Sequence, residues 1–199
     1  MKRGGPATRG GIITRYARYR SACDASCGYA RFVSATDLGL DIRPARREEL
    51  AAAGALTVAA YRAHGMATDS YVPHLRDTER RFHEAELLVA VDPDGTVVGT
   101  VTFCPTGSSW REISRADEGE FRMLAVAPSA QGRGVGRALT TACLDRAREL
   151  GFGGMALSTP AQNVRAHQLY EKFGFVRDPD RDWAPLPGVE LFAFVLRFD

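Results

Sequence analysis

The chain has 199 residues, of which 45% are hydrophobic and 25% charged, with a formal net charge of +2. That length suits one domain with a full core, the composition is that of a soluble globule, and no apolar run approaches the roughly 20 residues that cross a bilayer. Residues 1–36 hold Lys2, Arg3, Arg9, Arg15, Arg18, Arg20 and Arg31 against Asp24, a net of +6 that leaves −4 on the rest. Nucleic-acid binding would have to rest on this tail, which carries no binding motif, so neither nucleic acid nor membrane is expected as a partner.

Taken in chain order, residues 1–36 lack periodic hydrophobicity and open with Gly4-Gly5-Pro6 and Gly10-Gly11, which reads as a disordered basic extension or a translation start placed too far upstream. It is arginine-rich like a transit peptide, but has no secretory apolar core or cleavage box. Leu40–Arg43 predicts a short strand closed by Pro44. Glu48–Tyr61 is rich in alanine and leucine and predicts a helix, with Gly65 just beyond, and a second helix falls within Tyr71–Glu84. Glu86–Val91 and Thr96–Phe103 flank Asp92-Pro-Asp-Gly95 as a hairpin.

Residues 105–119 read as a loop, followed by a strand over 120–126, a helix over 136–150 and a strand at Met155–Ser158. A further helix follows Asn163, then a short strand near Phe175–Arg177 and a final strand over Val189–Phe198. Strands and helices do not alternate, which indicates an α+β layer fold rather than a doubly wound one.

The cysteines do not organise. Cys23 and Cys27 lack the second pair or histidines of a zinc site, and Cys104 and Cys143 sit singly in apolar settings as buried thiols. No metal site is expected, and without a disulfide framework a reducing cytoplasm is the default. His64, His74, His83 and His167 have no partner visible in sequence.

The richest segment is Glu120-Phe-Arg-Met-Leu-Ala-Val-Ala-Pro-Ser-Ala-Gln-Gly-Arg-Gly-Val-Gly-Arg137. A strand ending at Val126 feeds a short turn, then a loop with Gly132, Gly134 and Gly136 that opens a helix. Bare backbone N–H groups and the positive helix end suit a phosphate or pyrophosphate. The triphosphate loop is excluded, because Gly136 is followed by Arg137 and Ala138 rather than Lys and Ser/Thr. The dinucleotide pattern is excluded too, because its third glycine would fall at Arg137.

Gln131-Gly-Arg133-Gly134-Val135-Gly136 does satisfy Gln/Arg-x-x-Gly-x-Gly/Ala after a Leu-Ala-Val-x-Pro strand end. About 30 residues on, Asn163-Val-Arg-Ala166-His-Gln-Leu169-Tyr170-Glu171-Lys172-Phe-Gly174-Phe175 matches Asn-x-x-Ala-x-x-Leu-Tyr-x-x-x-Gly-Phe. With both blocks, the chain resembles the GNAT superfamily of acetyl-CoA-dependent N-acetyltransferases over about residues 38–198.

The resemblance implies a mixed, mainly antiparallel sheet of six to seven strands flanked by about four helices. It implies that the sheet splays between the two central parallel strands, those ending near Val126 and Ser158. Acetyl-CoA would be the cosubstrate, with its pyrophosphate on the amides of Gln131–Arg137 and charge-assisted contacts from Arg133 and Arg137. Its pantetheine arm would pair with Met123, Leu124, Ala125 and Val126, and the N–H near Leu124, beside a β-bulge, would polarise the acyl carbonyl. Asn163 matches a position that hydrogen-bonds the arm, Tyr170 the general acid for the departing thiolate, and Glu120 the general base.

The implied reaction is acetyl transfer to a primary amine by direct attack in a ternary complex. A longer acyl group and a non-catalytic acyl-CoA-binding domain stand as alternatives, and a homodimer is compatible with the family. The acceptor, a small-molecule or peptide amine, would be shaped by the loops around Tyr61–Arg76, Pro105–Gly119 and Asp178–Gly188, with Trp110 and Trp183 as candidate walls.

Overall fold

The computed structural model of the protein describes residues 38–186 and 189–199; the extension expected over 1–36, with Cys23 and Cys27, lies outside the described residues. Strand β1 (Asp41–Pro44) leads through a 3-10 turn at Arg47–Glu49 into helix α1 (Leu50–Ala63). Glu49 holds this entry: its carboxylate accepts the Arg46 amide at 2.7 Å and the Arg43 guanidinium at 2.6 and 2.8 Å. Two helices, α2 (Val72–Arg76) and α3 (Thr78–Glu84), stand where one was expected. The break is Asp77, whose side chain accepts the Arg80 amide at 3.1 Å and caps α3; aspartate gains more as a cap than inside a helix.

The hairpin β2 (Glu86–Val91) and β3 (Val97–Cys104) turns where Asp92 Oδ1 accepts the amides of Asp94 and Thr96. Then come β4 (Glu118–Val126), a 3-10 turn at Pro128–Ala130, α4 (Val135–Glu149) and β5 (Gly154–Pro160). The chain ends with α5 (Val164–Glu171), β6 (Val176–Arg177), β7 (Trp183–Leu186) and β8 (Val189–Arg197). The expected six to seven strands and four helices are eight and five among the described residues. The unexpected strand, β7, contains Pro185 and pairs only with β8, an edge position where a missing N–H costs little.

The sheet order is β1-β2-β3-β4-β5-β8-β6, with every pairing antiparallel except β4 with β5. Both faces are covered, and β2 shows how. Leu87, Val89 and Val91 pack with Leu50 and Ala53 of α1, while Leu88 and Ala90 join Val135, Leu139 and Cys143 of α4. Alternation along a strand sends these sets to opposite faces, so β2 reads as an unbroken apolar run. Among the described residues no helix is long and apolar enough to cross a membrane, and no group of three or more His, Cys, Asp or Glu gathers as metal ligands. Cys104 and Cys143 are buried, and burial pushes the Cys104 thiol up to about 12.

The parallel junction is tied by charge. Glu118, fully buried at the head of β4, receives Arg181 at 2.6 Å and Arg197 at 3.3 Å. Burial alone would raise its pKa, but the hydrogen bonds from Arg181 and the Arg115 amide outweigh it and hold the carboxyl below the usual 4.5. A depressed folded-state pKa stabilises the protein above the unfolded value, and that contribution is lost as pH falls through the folded one. Glu118→Gln should therefore cost about 3 kcal/mol at neutral pH, as for a broken buried pair. In denaturant melts the deficit should shrink below about pH 4.5; a variant as stable as the parent at pH 7 would refute it.

Candidate functional site

β4 and β5 pair at three positions only, from Glu118 opposite Gly154 to Glu120 opposite Ala156, although β4 runs on to Val126 and β5 to Pro160. The cause lies on the other side of β4. Thr100 of β3 faces Ala125 and Thr102 faces Arg122, so β4 carries one extra residue there, a β-bulge. Met123 sits in it with φ +52°, the one non-glycine residue with positive φ among those described, a conformation that costs an L-residue on the order of 1–2 kcal/mol. Beyond the last paired position a cavity of 460 Å³ is lined by Phe121–Val126 of β4 and Leu157–Pro160 of β5.

The glycine loop closes one end of this cavity. Gly132 and Gly134 have φ of +78° and +84°, and Gly134 is the N-cap of α4. The first helix amides have no intrahelical acceptor, and the first turn of α4 carries no acidic residue to offset its positive end. Gln131, Gly132, Gly134, Val135, Gly136 and Arg137 line the cavity; Arg133 is exposed and does not.

Helix α5 supplies a further wall. Asn163 lines the cavity and also caps its own helix, accepting the Ala166 amide at 3.3 Å. Tyr170 lines it too, only 5% exposed, with its ring edge-packed on Phe121 and Phe175 at 5.8 Å. Burial raises its pKa, so the hydroxyl stays protonated. Arg165 and Lys172 also line the cavity, and Arg165 donates to Gln131 Oε1 at 3.1 Å, bridging α5 to the glycine loop. Sequence reasoning missed both cations; with Leu169 they fall at spacings of four and three on one helix face, the signal that could have found them.

Glu120 is placed differently. It is fully buried and lines neither cavity. Its Oε2 accepts the amides of Glu112, Ile113 and Ser114 at 2.9–3.1 Å and the Ser114 hydroxyl at 2.9 Å, while Oε1 has no partner. The structure thus gathers Tyr170, Asn163, Met123–Val126 and most of Gln131–Arg137 around one cavity, and turns Glu120 toward the 112–114 loop. Trp110 is buried, its ring tilted against that of His74 at 4.8 Å, and walls neither cavity.

A second cavity of 320 Å³ adjoins the first, sharing Tyr61, His64, Met66, Arg122, Met123, Ser158 and Pro160 with it. Its other lining includes Gly65, Thr68, Tyr71 and Pro185, from the loops expected to shape an acceptor, together with Gln162, Val189 and Leu191.

The mixed α+β fold is shared with solved acetyltransferases. The chain is similar to a GCN5-related N-acetyltransferase from Kribbella flavida (28% identical, TM-score 0.61, covering 80% of this chain and 98% of that one). It also resembles in fold the PaiA N-acetyltransferase of Thermoplasma acidophilum in complex with coenzyme A (16%, TM-score 0.64, 80% and 99%). The model of the acetyltransferase (GNAT) family matches residues 54–175, and the chain belongs to that family. Among curated relatives, the mycothiol acetyltransferase of Nocardia farcinica is 43% identical over 91 residues, 42% of this chain and 30% of that protein. That of Pseudarthrobacter chlorophenolicus is 39% identical over 112 residues, 56% and 34%. The chain spans about a third of the length of these relatives.

Proposed function

We propose that the protein is an acetyl-CoA-dependent N-acetyltransferase acting on a primary amine by direct attack in a ternary complex. The observation that carries this reading is the continuity of one cavity from the N-terminus of α4, through the split between β4 and β5, to the hydroxyl-bearing residue Tyr170. The cofactor fits on two counts: positive-φ glycines leave the loop amides open to a pyrophosphate, and Arg137, Arg165 and Lys172 supply cations beside it.

The main chain of Met123–Val126, unpaired on its β5 side, would receive the pantetheine arm as an added strand. The Leu124 N–H, aimed by the bulge, would stabilise the charge developing on the acetyl oxygen. As the amine attacks and the C–S bond breaks, Tyr170 would donate its proton to the leaving thiolate. An alkyl amine has a pKa near 10.4 and must lose a proton to attack. Glu120 lines neither cavity and its Oε2 is held by the 112–114 loop, so it would serve this task only through water bridging its partner-free Oε1 to the amine. Glu120→Gln should displace the rate–pH profile; an unchanged profile would leave Glu120 with the loop alone.

The test of the whole reading is release of free thiol from acetyl-, propionyl- and succinyl-CoA across amine classes, beginning with the acceptor of the mycothiol acetyltransferases. Acetyl-CoA with at least one amine should turn over. Tight CoA binding with no transfer to any amine would identify a binding domain instead.

A further inference from the structure

The second cavity holds one cation at its junction with the first, and that cation is only partly engaged. Arg122 follows Glu120 and Phe121 on β4 and immediately precedes the bulge residue Met123. Its side chain is 10% exposed and lines both cavities. Nη1 donates to the Trp110 carbonyl and to Glu112 Oε1, each at 2.9 Å. Nε and Nη2 make no hydrogen bond to a described residue, and the guanidinium lies 5.9 Å from the Trp183 ring. The fork is thus anchored at one tip, with three N–H donors on two nitrogens to spare. Among the described residues lining the second cavity there is no Asp or Glu, and the polar groups are Tyr61, Tyr71, His64, Thr68, Ser158 and Gln162.

We propose that this cavity receives the acceptor and that Arg122 selects amines bearing a carbonyl or carboxylate oxygen on the neighbouring carbon, an α-aminoacyl group. The inference rests on the acetyl-transfer reading above. Arg122 and Leu124 flank the bulge residue Met123, and an attacking nitrogen must come within about 3–3.5 Å of the acyl carbon. Since Arg122 lines both cavities, an oxygen about three bonds from the amine, as in N–Cα–C=O, would meet the free guanidinium donors. A guanidinium fork matches such an oxygen, and a carboxylate in bidentate fashion. A polyamine or other polycation would instead bring positive charge against Arg122 in a cavity whose described lining holds no Asp or Glu.

The experiment compares an amino-acid amide, the free amino acid, an alkylamine of equal length and a polyamine, at saturating acetyl-CoA, with CoA affinity measured separately by calorimetry. The wild type should prefer the two oxygen-bearing amines over the alkylamine by at least about tenfold in kcat/KM, because a site built to hydrogen-bond rejects the analogue that lacks the group. Arg122→Gln should collapse that preference through KM and leave CoA affinity unchanged. Glu112→Gln, which removes the acidic partner and keeps the guanidinium, should shift the ratio toward the free amino acid over the amide. The proposal is overturned if the alkylamine or polyamine is used as well as the aminoacyl amines, or if Arg122→Gln retains the preference. Normal CoA binding with no amine used at all would overturn the transfer reading, and this one with it.

Discussion

Gly134→Glu is expected to abolish coenzyme A binding, with affinity falling by about a hundredfold or more, roughly 2.7 kcal/mol. Three effects converge on this position. The backbone has φ +84°, which a side chain adopts only at a cost. A Cβ there would lie 2.9 Å from Leu38 Cδ1, so the turn would have to shift before the rest of the side chain is placed. The carboxylate would then bring negative charge to the N-terminus of α4, where a pyrophosphate would need the open amides. Gly134→Ala separates the effects: it keeps the strain and the contact but adds no charge, and should weaken binding by less. Calorimetric titration with CoA measures both, and normal affinity in the glutamate variant would show that the loop is not the anion cradle.

Tyr170→Phe should lower kcat by at least about tenfold while leaving CoA affinity near the parental value, since removal of a positioned general acid typically costs 10²–10⁴. The change deletes one oxygen and keeps the ring that packs on Phe121, Phe175 and Phe194. The fold should therefore tolerate it, and a fall in rate cannot be assigned to a collapsed core. Burial keeps the hydroxyl protonated far above neutral pH, which suits a proton donor and excludes a phenolate base in the working range. Single-turnover measurement of thiol release at saturating amine isolates the step. Unchanged turnover would remove Tyr170 from the mechanism.

How far the site could be read from sequence depends on whether residue identity encodes the needed geometry. Gly132 and Gly134 announce positive φ by being glycine, so the open turn that leads into α4 was legible. Met123 carries no such mark. Its left-handed backbone is imposed by the register of β3 against β4, so the bulge could be expected only through family resemblance. Glu120 stood at the right place on its strand, yet its partners are the main-chain amides of Glu112–Ser114, and no side-chain pattern reports a loop folded back onto a carboxylate. Arg165 and Lys172 were passed over because charges on a helix are ordinarily solvated; only the cavity beside α5 gives them meaning. Pro185 hid β7, because proline signals a break unless the strand is known to be an edge.

The three-residue pairing of β4 with β5 has a mechanical consequence. The sheet is two plates, β1–β4 and β5–β8, joined along a short seam that the Glu118 ion pairs reinforce. A guest in the open part of that seam touches both plates at once. It would act as a rivet as well as a reactant, and the stiffness of the molecule would rise and fall with each catalytic cycle.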